Sequence, residues 1–534
     1  MEKSFKICYN NAVNANGFPP NRNPIMYSKV LCATVRGING ILTYVEADSS
    51  NGLPNFLMVG NLTSSVKEAA DRVRTALKNS NVDIPAKKVT INIAPADLRK
   101  DGTAFDLPIA VAILKSLNII SCNITDDYAF IGELNLSGEI VGVRGILSMV
   151  SGLKKCGVKG VVVPKENEQE ALVVKGIDII SVDNIVDLIK MLKSRETFLA
   201  LPRSNFEEIE EKNEYQVDFS DISGQDFMKR ACEVAVAGFH NIIISGSAGT
   251  GKTMIAKRIP TIMPRLSLEE KIEITKVYSI AGELRDKRLI SVRPFRNPHH
   301  SISVTSLIGG GVYPRPGEIS LASNGVLFLD ELPHFSKSAI ETLREPLEEK
   351  SITISRLQGS YSYPANFMLV AAMNLCPCGH FPDRNKCNCS EVAIERYQRS
   401  ISKPILERID ICVESSPIKF NELSGGGCGE KSEVIRKRVE KCRDIQKERF
   451  KNYEHIFFNS QMSTKEIKKF CCIGEEEKEY LRKIFNVKKL SARTYHKVLK
   501  VARTIADLAM SENIKKEHLV EACSFRSLED KIYH

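Results

Sequence analysis

Two hydrophobic periods alternate in the first third of the chain. In KVTINIAP a valine and two isoleucines fall on every second position, which predicts a strand with one buried face. In SSVKEAADRVRTAL the apolar residues recur every three or four positions, which predicts a helix, and Ser65 and Glu68 have the spacing of a capping box. Because such patterns alternate over residues 26–192, we predict an α/β domain there.

A second block, at residues 219–420, has a different pattern. The segments NIIIS, GVLFLD and FMLVAAMN are short, continuously apolar and separated by helical patterns. Such runs are typical of a parallel sheet that helices cover on both faces. The polar, charge-rich residues 193–218 before it are predicted to be a linker.

The ends of the chain differ from these two blocks. A glycine-rich segment at 421–432 is predicted to be a second linker, and the helical periodicity of 433–534 predicts a small helical domain. The Asn- and Pro-rich residues 1–25 are predicted to be a flexible extension. They contain no apolar block of the kind that a secretory signal requires, so a cytoplasmic protein is expected.

Composition narrows the class of protein. A chain of 534 residues is long enough for several domains, and no apolar run approaches the ~18 residues that a membrane span needs. The formal net charge of +10 permits a polyanionic partner but is a weak signal over this length. Fifteen scattered cysteines without a signal sequence favour reduced thiols.

The segment IIISGSAGTGKTMIAK fits the phosphate-binding motif G-x-x-x-x-G-K-[ST], with the required strand before it and helix after it. The glycines let backbone N–H groups turn toward a phosphate, the lysine reaches the β and γ oxygens, and the threonine hydroxyl binds Mg²⁺. ATP and Mg²⁺ are therefore the predicted cofactors. The predicted nucleotide-binding residues are Gly246, Ser247, Ala248, Gly249, Thr250, Gly251, Lys252 and Thr253.

Polar residues follow two later apolar strands. Asp330 and Glu331 end GVLFLDE, where the first would hold Mg²⁺ and the second would orient or polarise the attacking water. Asn374 ends FMLVAAMN and would lie at the same carboxyl edge of the sheet, beside the γ-phosphate. The competing interpretations are solvated strand-end carboxylates and an ordinary turn asparagine.

Two arginines are candidates for completing the site. Arg408, in ISKPILERIDI, is predicted to point outward into the site of a neighbouring subunit, since a planar cation offsets the charge that develops during phosphoryl transfer. Arg493, at the start of a helix, is predicted to sense the γ-phosphate in its own subunit. A structural salt bridge is the alternative for each.

Three segments resemble the magnesium-chelatase-like AAA+ ATPases of the YifB/ComM type. They are the phosphate-loop segment, PRPGEISLASNGVLFLDELPHF and LSARTYHKVLKVARTIADL, and the resemblance extends over essentially all of the chain after Met26. The resemblance implies a hexameric ATPase, and for the competence member of the family a helicase that drives branch migration. Ser247 and Ala248 depart from it, because the family usually has two prolines there. The implied roles are Walker A for Lys252 and Thr253, Walker B for Asp330 and Glu331, sensor 1 for Asn374, arginine finger for Arg408 and sensor 2 for Arg493.

The first domain resembles a Lon-type protease domain, of the ribosomal S5 domain 2-like α/β fold. PADLRKDGTAFDLPIA is similar to the serine-bearing segment of those proteases and SGEIVGVRGILSMVSGLKKCG to the lysine-bearing one. Aligned in this way, the serine position holds Ala104 and the lysine position Cys156, although a small slip would bring Lys155 there. A Ser-Lys dyad is therefore absent, and contacts with protein partners or DNA are expected instead. The fold class that the resemblance implies is a P-loop AAA+ parallel-sheet module between this domain and a helical lid domain.

NLCPCGHFPDRNKCNCSE brings four cysteines together in two C-x-C pairs. Four thiolates so close favour a structural zinc site, with reduced and unliganded thiols as the alternative. The candidate ligands are Cys376, Cys378, Cys387 and Cys389.

The segment RPFRNPHHSISVTSLIGGG is a basic insertion that, by the resemblance, faces the pore of a ring. Arg293, Arg296 and Lys287 are expected to contact phosphates there. His299 and His300 are expected to be ordinary hydrogen-bonded histidines, because adjacent side chains diverge. In VIRKRVEKCRDIQKERFK a solvated charged face is favoured over a nucleic-acid contact.

These observations favour an ATP-driven homohexameric ring motor acting on single-stranded or branched DNA. Two alternatives stay open. A protein-remodelling ATPase would use the Lon-like domain to capture a polypeptide, and a chelatase motor subunit would insert metal into a tetrapyrrole. The Lon-like domain counts against the second alternative.

Overall fold

The computed structural model describes residues 27–120, 126–193, 215–284, 289–311, 314–356, 359–416, 429–488 and 491–526. The predicted extension 1–25 and most of the two predicted linkers lie outside these residues. The chain divides into two compact units. The first comprises Met1–Cys32, Thr43–Ile140 and Asp183–Leu201, and the second comprises Ala33–Leu42, Val141–Val182 and Pro202–His534.

The secondary structure alternates between strands and helices as far as residue 415 and is helical afterwards. The strands are β1 Tyr27–Arg36, β2 Asn39–Ser50, β3 Asn55–Val59, β4 Lys88–Ala94, β5 Tyr128–Phe130, β6 Glu133–Leu134, β7 Ile140–Val141, β8 Gly160–Pro164, β9 Asp178–Val182, β10 Ile242–Gly246, β11 Phe295–Arg296, β12 Gly309–Gly310, β13 Arg315–Pro316, β14 Val326–Leu329, β15 Ser351–Arg356, β16 Gly359–Pro364, β17 Met368–Met373 and β18 Ile411–Ser415. The helices are α1 Ser64–Lys67, α2 Ala69–Asn79, α3 Asp106–Ser116, α4 Ile146–Lys155, α5 Glu168–Leu172, α6 Ile185–Leu192, α7 Asp226–Gly238, α8 Lys252–Ile262, α9 Leu268–Ala281, α10 Val304–Ile308, α11 Glu318–Leu321, α12 Lys337–Glu341, α13 Arg344–Glu349, α14 Glu391–Gln398, α15 Lys403–Leu406, α16 Ser432–Arg449, α17 Thr464–Phe470, α18 Glu475–Lys488, α19 Ala492–Leu508 and α20 Lys516–Ser524.

In the first unit, strands β3, β4, β2, β1 and β5 are neighbours in that order. Strand β4 pairs in parallel with β3 and antiparallel with β2. Its three alternating apolar residues, Val89, Ile91 and Ile93, are fully buried, which confirms the predicted strand and its inner face.

The predicted capping box at Ser65 and Glu68 is wrong. Helix α1 begins at Ser64 after Thr63, whose side chain makes no capping hydrogen bond, and Glu68 separates α1 from α2. The Ser65 hydroxyl lies 2.8 Å from the Thr63 hydroxyl instead. The N-cap is therefore Thr63, two residues earlier than the sequence pattern predicts.

The second unit contains a parallel sheet with the strand order β11-β14-β17-β10-β18. Successive residues of β10 point to opposite faces: Ile242 and Ile244 belong to a core with α7 and α8, whereas Ile243 belongs to a core with α12. Both faces are thus covered by helices, and the predicted doubly covered parallel sheet is confirmed.

The described residues after 429 are helical, as their periodicity predicts, and α16 and α19 join the same core as α7. Among the described helices, none combines the length and the apolarity that crossing a membrane requires.

Candidate nucleotide site

The loop between β10 and α8 has the backbone of a phosphate cradle. Gly246, Gly249 and Gly251 have φ angles of 155°, 78° and 82°, which L-amino acids with a side chain rarely adopt. At Gly246 a Cβ atom would also lie 2.8 Å from the carbonyl oxygen of Ser415 on β18. These conformations turn the loop sharply from strand into helix, the arrangement in which the backbone N–H groups of such loops bind phosphate. The N–H of Ala248 is already bonded, since it donates to the carbonyl oxygen of Gly379 at 2.9 Å.

Lys252, the first residue of α8, is buried and points back into this loop. Its Nζ donates to the carbonyl oxygens of Gly246 at 3.0 Å and Ser247 at 2.8 Å, and to Oδ1 of Asn374 at 3.1 Å. Burial lowers the pKa of Lys252, and the nearby charge of Asp330 opposes that shift. The ammonium group is therefore held in the loop by neutral acceptors and is available to an anion.

The hydroxyl of Thr253 and the carboxylate of Asp330 form a pair of oxygen ligands next to Lys252. The hydroxyl of Thr253 donates to Oδ2 of Asp330 at 2.7 Å, at the end of β14. Carboxylate and hydroxyl oxygens are the ligands that Mg²⁺ prefers, so these residues fit a magnesium ion that bridges to a phosphate. The structure thus brings Lys252, Thr253, Asp330 and Asn374 to one edge of the parallel sheet, where the sequence predicts them.

Glu331 lies next to this pair on a strained backbone. Its φ is 53°, a left-handed conformation that is uncommon for a non-glycine residue, and its N–H donates to Oδ1 of Asp330 at 3.0 Å. The carboxylate is half-exposed, and its Oε2 lies 3.8 Å from Nδ1 of His300. Glu331 is therefore free to face a water molecule at the open side of the site.

The two predicted site arginines are both paired within the chain. Arg408 donates to the carbonyl oxygen of Pro404 at 2.7 Å and forms an ion pair of 2.5 Å with Glu348, with 13% of its side chain exposed. Arg493 is 70% exposed and lies 2.7 Å from Glu407. The structure does not bring either guanidinium to the phosphate loop.

The segment after Arg408 is fixed by a polar network that the sequence analysis missed. The buried carboxylate of Asp410 lies 3.2 Å from Nδ1 of His240, and Lys497 on α19 donates to the carbonyl oxygen of Ile409 at 2.8 Å. Burial alone raises the pKa of Asp410, but Lys497 and His240 outweigh it and hold this pKa well below its usual range. Because His240 and Lys497 are distant in sequence from Asp410, no local pattern could have revealed the network.

The four predicted cysteine ligands form one cluster. Their sulfur atoms all lie within 4.8 Å of one another, and the distances from Cys376 to Cys378 and Cys387 are 3.4 and 3.7 Å. A tetrahedral zinc ion with bonds of about 2.3 Å separates its sulfur ligands by about 3.8 Å, so the arrangement fits a metal ion. The backbone N–H of His380 is the main reason why the pKa of Cys378 is lowered to about 6, whereas the pKa of Cys387 is raised to about 11, so binding of a metal ion would release protons from the cluster.

The basic insertion differs from its prediction. Arg293 is buried and donates to the carbonyl oxygens of Pro264 at 2.6 Å and Asn324 at 2.7 Å. Arg296 forms a bidentate ion pair with Glu318, with N···O distances of 2.6 and 2.7 Å. The prediction is therefore wrong for Arg293, which is buried and bonded to carbonyl oxygens of this chain. For Arg296, which is 24% exposed and paired with Glu318, the phosphate contact stays a prediction. The third predicted contact, Lys287, lies outside the described residues.

The two adjacent histidines of this insertion also differ in part. The rings of His299 and His300 lie 4.0 Å apart, so the expected divergence of neighbouring side chains is wrong. His299 accepts or donates a hydrogen bond at Ser301 Oγ, 2.8 Å away, as expected for a hydrogen-bonded histidine. In the described part of the chain, the cysteine cluster is the group with metal-ligand geometry.

Thr103 and Lys100, which lie in the segment similar to the serine-bearing one, do not pair with each other. Lys100 is buried and donates to the carbonyl oxygen of Pro95, whereas the Thr103 hydroxyl donates to Glu133. Each group is thus occupied by a different partner. Ala104 follows in the turn before α3 and offers no nucleophile.

The arginines of the charged helix α16 form hydrogen bonds and ion pairs with other residues of the same chain. Arg436 donates to the carbonyl oxygen of Thr261, and Arg438 pairs with Glu233 at 2.6 Å. Arg449, at the C-terminal end of the helix, forms an ion pair of 2.5 Å with the fully buried Asp507 on α19. These contacts hold the helices together and leave the lysines to the solvated face.

Three family models match this chain. Residues 218–423 match the model described as magnesium chelatase, subunit ChlI, residues 45–167 match that of the ChlI subunit of Mg-chelatase, and residues 429–526 match its C-terminal part. Together they cover both the sheet that carries the nucleotide site and the helices that follow it.

Full-length relatives are similar over nearly the whole chain. The competence protein ComM of Haemophilus influenzae is 39% identical over 494 residues, which are 92% of this chain and 96% of that protein. YifB of Escherichia coli is 40% identical over 500 residues, 93% of this chain and 96% of that protein. A shorter similarity, 24% identity over 166 residues, relates 29% of this chain to 21% of the Lon protease of Mycolicibacterium smegmatis.

Proposed function

Because this chain belongs to the magnesium-chelatase-like family that includes ComM and YifB, we propose that it is an ATP-hydrolysing AAA+ motor that moves DNA. The observation that carries the proposal is the convergence of Lys252, Thr253, Asp330 and Asn374 at one sheet edge. A cation, a metal-binding oxygen pair and an amide in this arrangement are the groups that phosphoryl transfer from a nucleoside triphosphate requires.

Each residue has a separate task in the proposed reaction. The loop N–H groups and Lys252 bind the phosphates, and Thr253 and Asp330 hold Mg²⁺, which neutralises charge on the transferring phosphoryl group when bound. Glu331 orients or polarises the attacking water from the open side, and Asn374 fixes the position of Lys252. Since the pKa of Lys252 is lowered mainly by burial, a bound polyphosphate stabilises its charged form.

We assign Arg408 to the site of a neighbouring subunit in a homohexamer. A guanidinium at such a seam offsets the charge that develops in the transition state, and its removal slows related reactions by about three orders of magnitude or more. In the single chain Glu348 holds Arg408, so assembly has to exchange that carboxylate for the neighbour's phosphate. Arg493, which is exposed and paired with Glu407, is the proposed sensor that moves the helical domain.

DNA is the cargo that two observations favour. A relative that aligns over 96% of its own length bears the name competence protein, and the family resemblance implies a DNA helicase for the competence member. The formal charge of +10 permits such a polyanionic partner. We therefore propose helicase or translocase activity on single-stranded or branched DNA, with branch migration in recombination or DNA uptake as its role. Similarity to Lon proteases favours protein remodelling as the second candidate, with the Lon-like residues as the surface that binds protein partners.

The cysteine cluster is proposed to hold a structural zinc ion. Its four sulfur atoms have the separations of tetrahedral ligands, and the backbone N–H of Phe381 donates to Cys376 Sγ at 3.3 Å, as second-layer donors to metal-bound thiolates do. Cys376 follows Asn374 by two residues, so the ion would stiffen the segment after β17.

Turnover of ATP in the presence of different cargoes tests the proposal. The purified chain is assayed alone, with forked DNA and with an unfolded protein, at one moderate salt concentration. We expect forked DNA to stimulate turnover and the unfolded protein to leave it unchanged. Stimulation by the unfolded protein alone would replace DNA movement with protein remodelling, and absence of turnover in every arm would contradict the motor itself.

A further inference from the structure

The cysteine cluster is in direct contact with the phosphate loop. The carbonyl oxygen of Gly379, one residue after Cys378, accepts a hydrogen bond of 2.9 Å from the backbone N–H of Ala248. A Cβ atom on Gly379 would lie 3.2 Å from the Cβ of Ala248 and 3.6 Å from Nδ2 of Asn374. The loop that carries the thiols therefore lies against two parts of the nucleotide site.

Gly379 lies in the turn that follows Cys376 and Cys378. Its N–H donates to the carbonyl oxygen of Cys376 at 3.1 Å, and its φ of 78° turns the chain between Cys378 and Phe381. Gly379 is buried, although the residues on both sides of it are exposed. A metal ion that binds Cys376 and Cys378 would close this turn at both ends and fix the carbonyl group that Ala248 contacts.

The cysteine segment also follows directly on the end of β17. Asn374 precedes Cys376 by two residues, and the intervening Leu375 accepts a hydrogen bond of 2.9 Å from the buried Gln398 on α14. Asn374 in turn accepts the hydrogen bond from Lys252, the residue that reaches the β and γ oxygens. The cluster is thus connected to the nucleotide site through Ala248 and through Asn374.

We propose that a soft divalent metal ion of the zinc class in the cysteine cluster controls nucleotide affinity by bracing the phosphate loop through Gly379. This proposal rests on the proposed nucleotide site. Loss of the ion frees the turn, loosens Ala248 and Asn374, and weakens binding of the triphosphate more than that of the diphosphate. Since coupling between two binding sites is reciprocal, bound triphosphate tightens retention of the metal by the same factor.

The first experiment compares the zinc-loaded full chain with protein stripped by a chelator under reducing conditions. Fluorescent ATP and ADP analogues report affinity, and a chromophoric chelator reports metal retention. We expect the affinity for the ATP analogue to fall about tenfold when the metal is removed and to return when zinc is added. We also expect the chain to lose zinc more slowly when the ATP analogue is bound, because the coupling is reciprocal. Equal affinities in the loaded and stripped chains would overturn the proposal.

A second experiment leaves the thiols unchanged. Gly379→Ala forces a side chain against Ala248, whereas Gly157→Ala imposes a similar strain, at a φ of 79°, where a Cβ meets nothing within 4 Å. We expect Gly379→Ala to retain zinc but to bind the ATP analogue about tenfold more weakly, with Gly157→Ala unchanged. If Gly379→Ala binds the ATP analogue as tightly as the wild type does, the brace is contradicted. This result stands even if removal of the metal unfolds the chain in the first experiment.

The two proposals fail in different ways. If the zinc-loaded wild-type chain binds neither analogue, the proposed nucleotide site is wrong. If the wild-type chain binds both analogues, and neither removal of the metal nor Gly379→Ala changes the affinity, only the proposed brace is wrong.

Discussion

At the scale of single residues, Lys252 has the most constrained environment of the candidate site. Two carbonyl oxygens and an amide oxygen accept its three hydrogen bonds, and no carboxylate pairs with it directly among these contacts. A cation that only neutral groups hold keeps most of its electrostatic attraction for a phosphate. Its replacement removes that attraction without leaving a buried unpaired carboxylate beside it.

We expect Lys252→Ala to lower ATP turnover by about a hundredfold or more, since electrostatic stabilisation of the transferring phosphate is lost. Steady-state phosphate release measures the effect. Lys257→Ala, on the exposed side of the same helix, is the matched control and is expected to keep wild-type turnover. Equal turnover in both variants would show that Lys252 is not part of the site.

The sequence predicts residues best where a motif fixes their place on the backbone. Lys252 and Thr253 follow a strand and begin a helix, and Asp330 and Asn374 end neighbouring strands, so the sheet alone brings them together. The partner of Arg408 could not be predicted, because Glu348 is 60 residues away on a different helix. Arg293 was misassigned because a basic residue in a polar segment gives no sign that it is buried.

At the scale of elements, the parallel sheet and the long helices could be predicted from their periodic patterns. The hairpin of β15 and β16 was not predicted, although Ile352 and Ile354 alternate with polar residues and pair with Tyr363 and Tyr361 on the buried face. Helix α16 was predicted, but its anchoring to α19 depends on long-range charge pairs. Asp507 is fully buried and receives hydrogen bonds from Arg449, Arg503 and Asn459.

We expect Asp507→Ala to destabilise the second unit by about 3–5 kcal/mol, because it leaves buried arginine charges without their counterion. Urea unfolding followed by far-UV circular dichroism measures the change. Asp444→Ala, on the exposed face of α16 and 3.4 Å from Lys447, serves as the control and should change stability by less than about 0.5 kcal/mol. A small effect in both variants would mean that the buried pair does not anchor α16.

The pair between Arg408 and Glu348 connects α13 with the segment after α15. If this pair competes with a contact to a neighbouring subunit, Glu348→Gln makes Arg408 easier to transfer. We therefore expect half-maximal turnover to occur at a several-fold lower protein concentration in Glu348→Gln, because the free arginine favours the assembled state. A concentration series of ATP turnover measures this shift, and Glu349→Gln, exposed on the same helix, is the control. The same concentration dependence in wild type and Glu348→Gln would show that the pair does not oppose assembly.

At the scale of the whole molecule, one chain is insufficient for hydrolysis in the proposed mechanism. The phosphate loop, Asp330 and Glu331 belong to one subunit, and Arg408 would come from the next. In the single chain Arg408 is paired with its own Glu348, which agrees with a guanidinium that has no phosphate within its own subunit to bind. The sequence predicts that an arginine such as Arg408 would be needed at the interface between two subunits. It does not predict the interface, because that depends on the surfaces of two chains.

Mixing two inactive variants tests this central claim most directly. Glu331→Gln keeps Arg408 but cannot activate water, whereas Arg408→Ala keeps the loop and Glu331 but has no guanidinium to offer. Alone, each is expected to bind ATP, with turnover slower than wild type by about a hundredfold for Glu331→Gln and by about a thousandfold or more for Arg408→Ala. Mixed subunits create seams with an intact loop on one side and Arg408 on the other, so turnover should recover to a substantial fraction of the wild-type rate. A mixture no more active than the sum of its parts, or full activity of Arg408→Ala alone, would contradict hydrolysis at a shared seam.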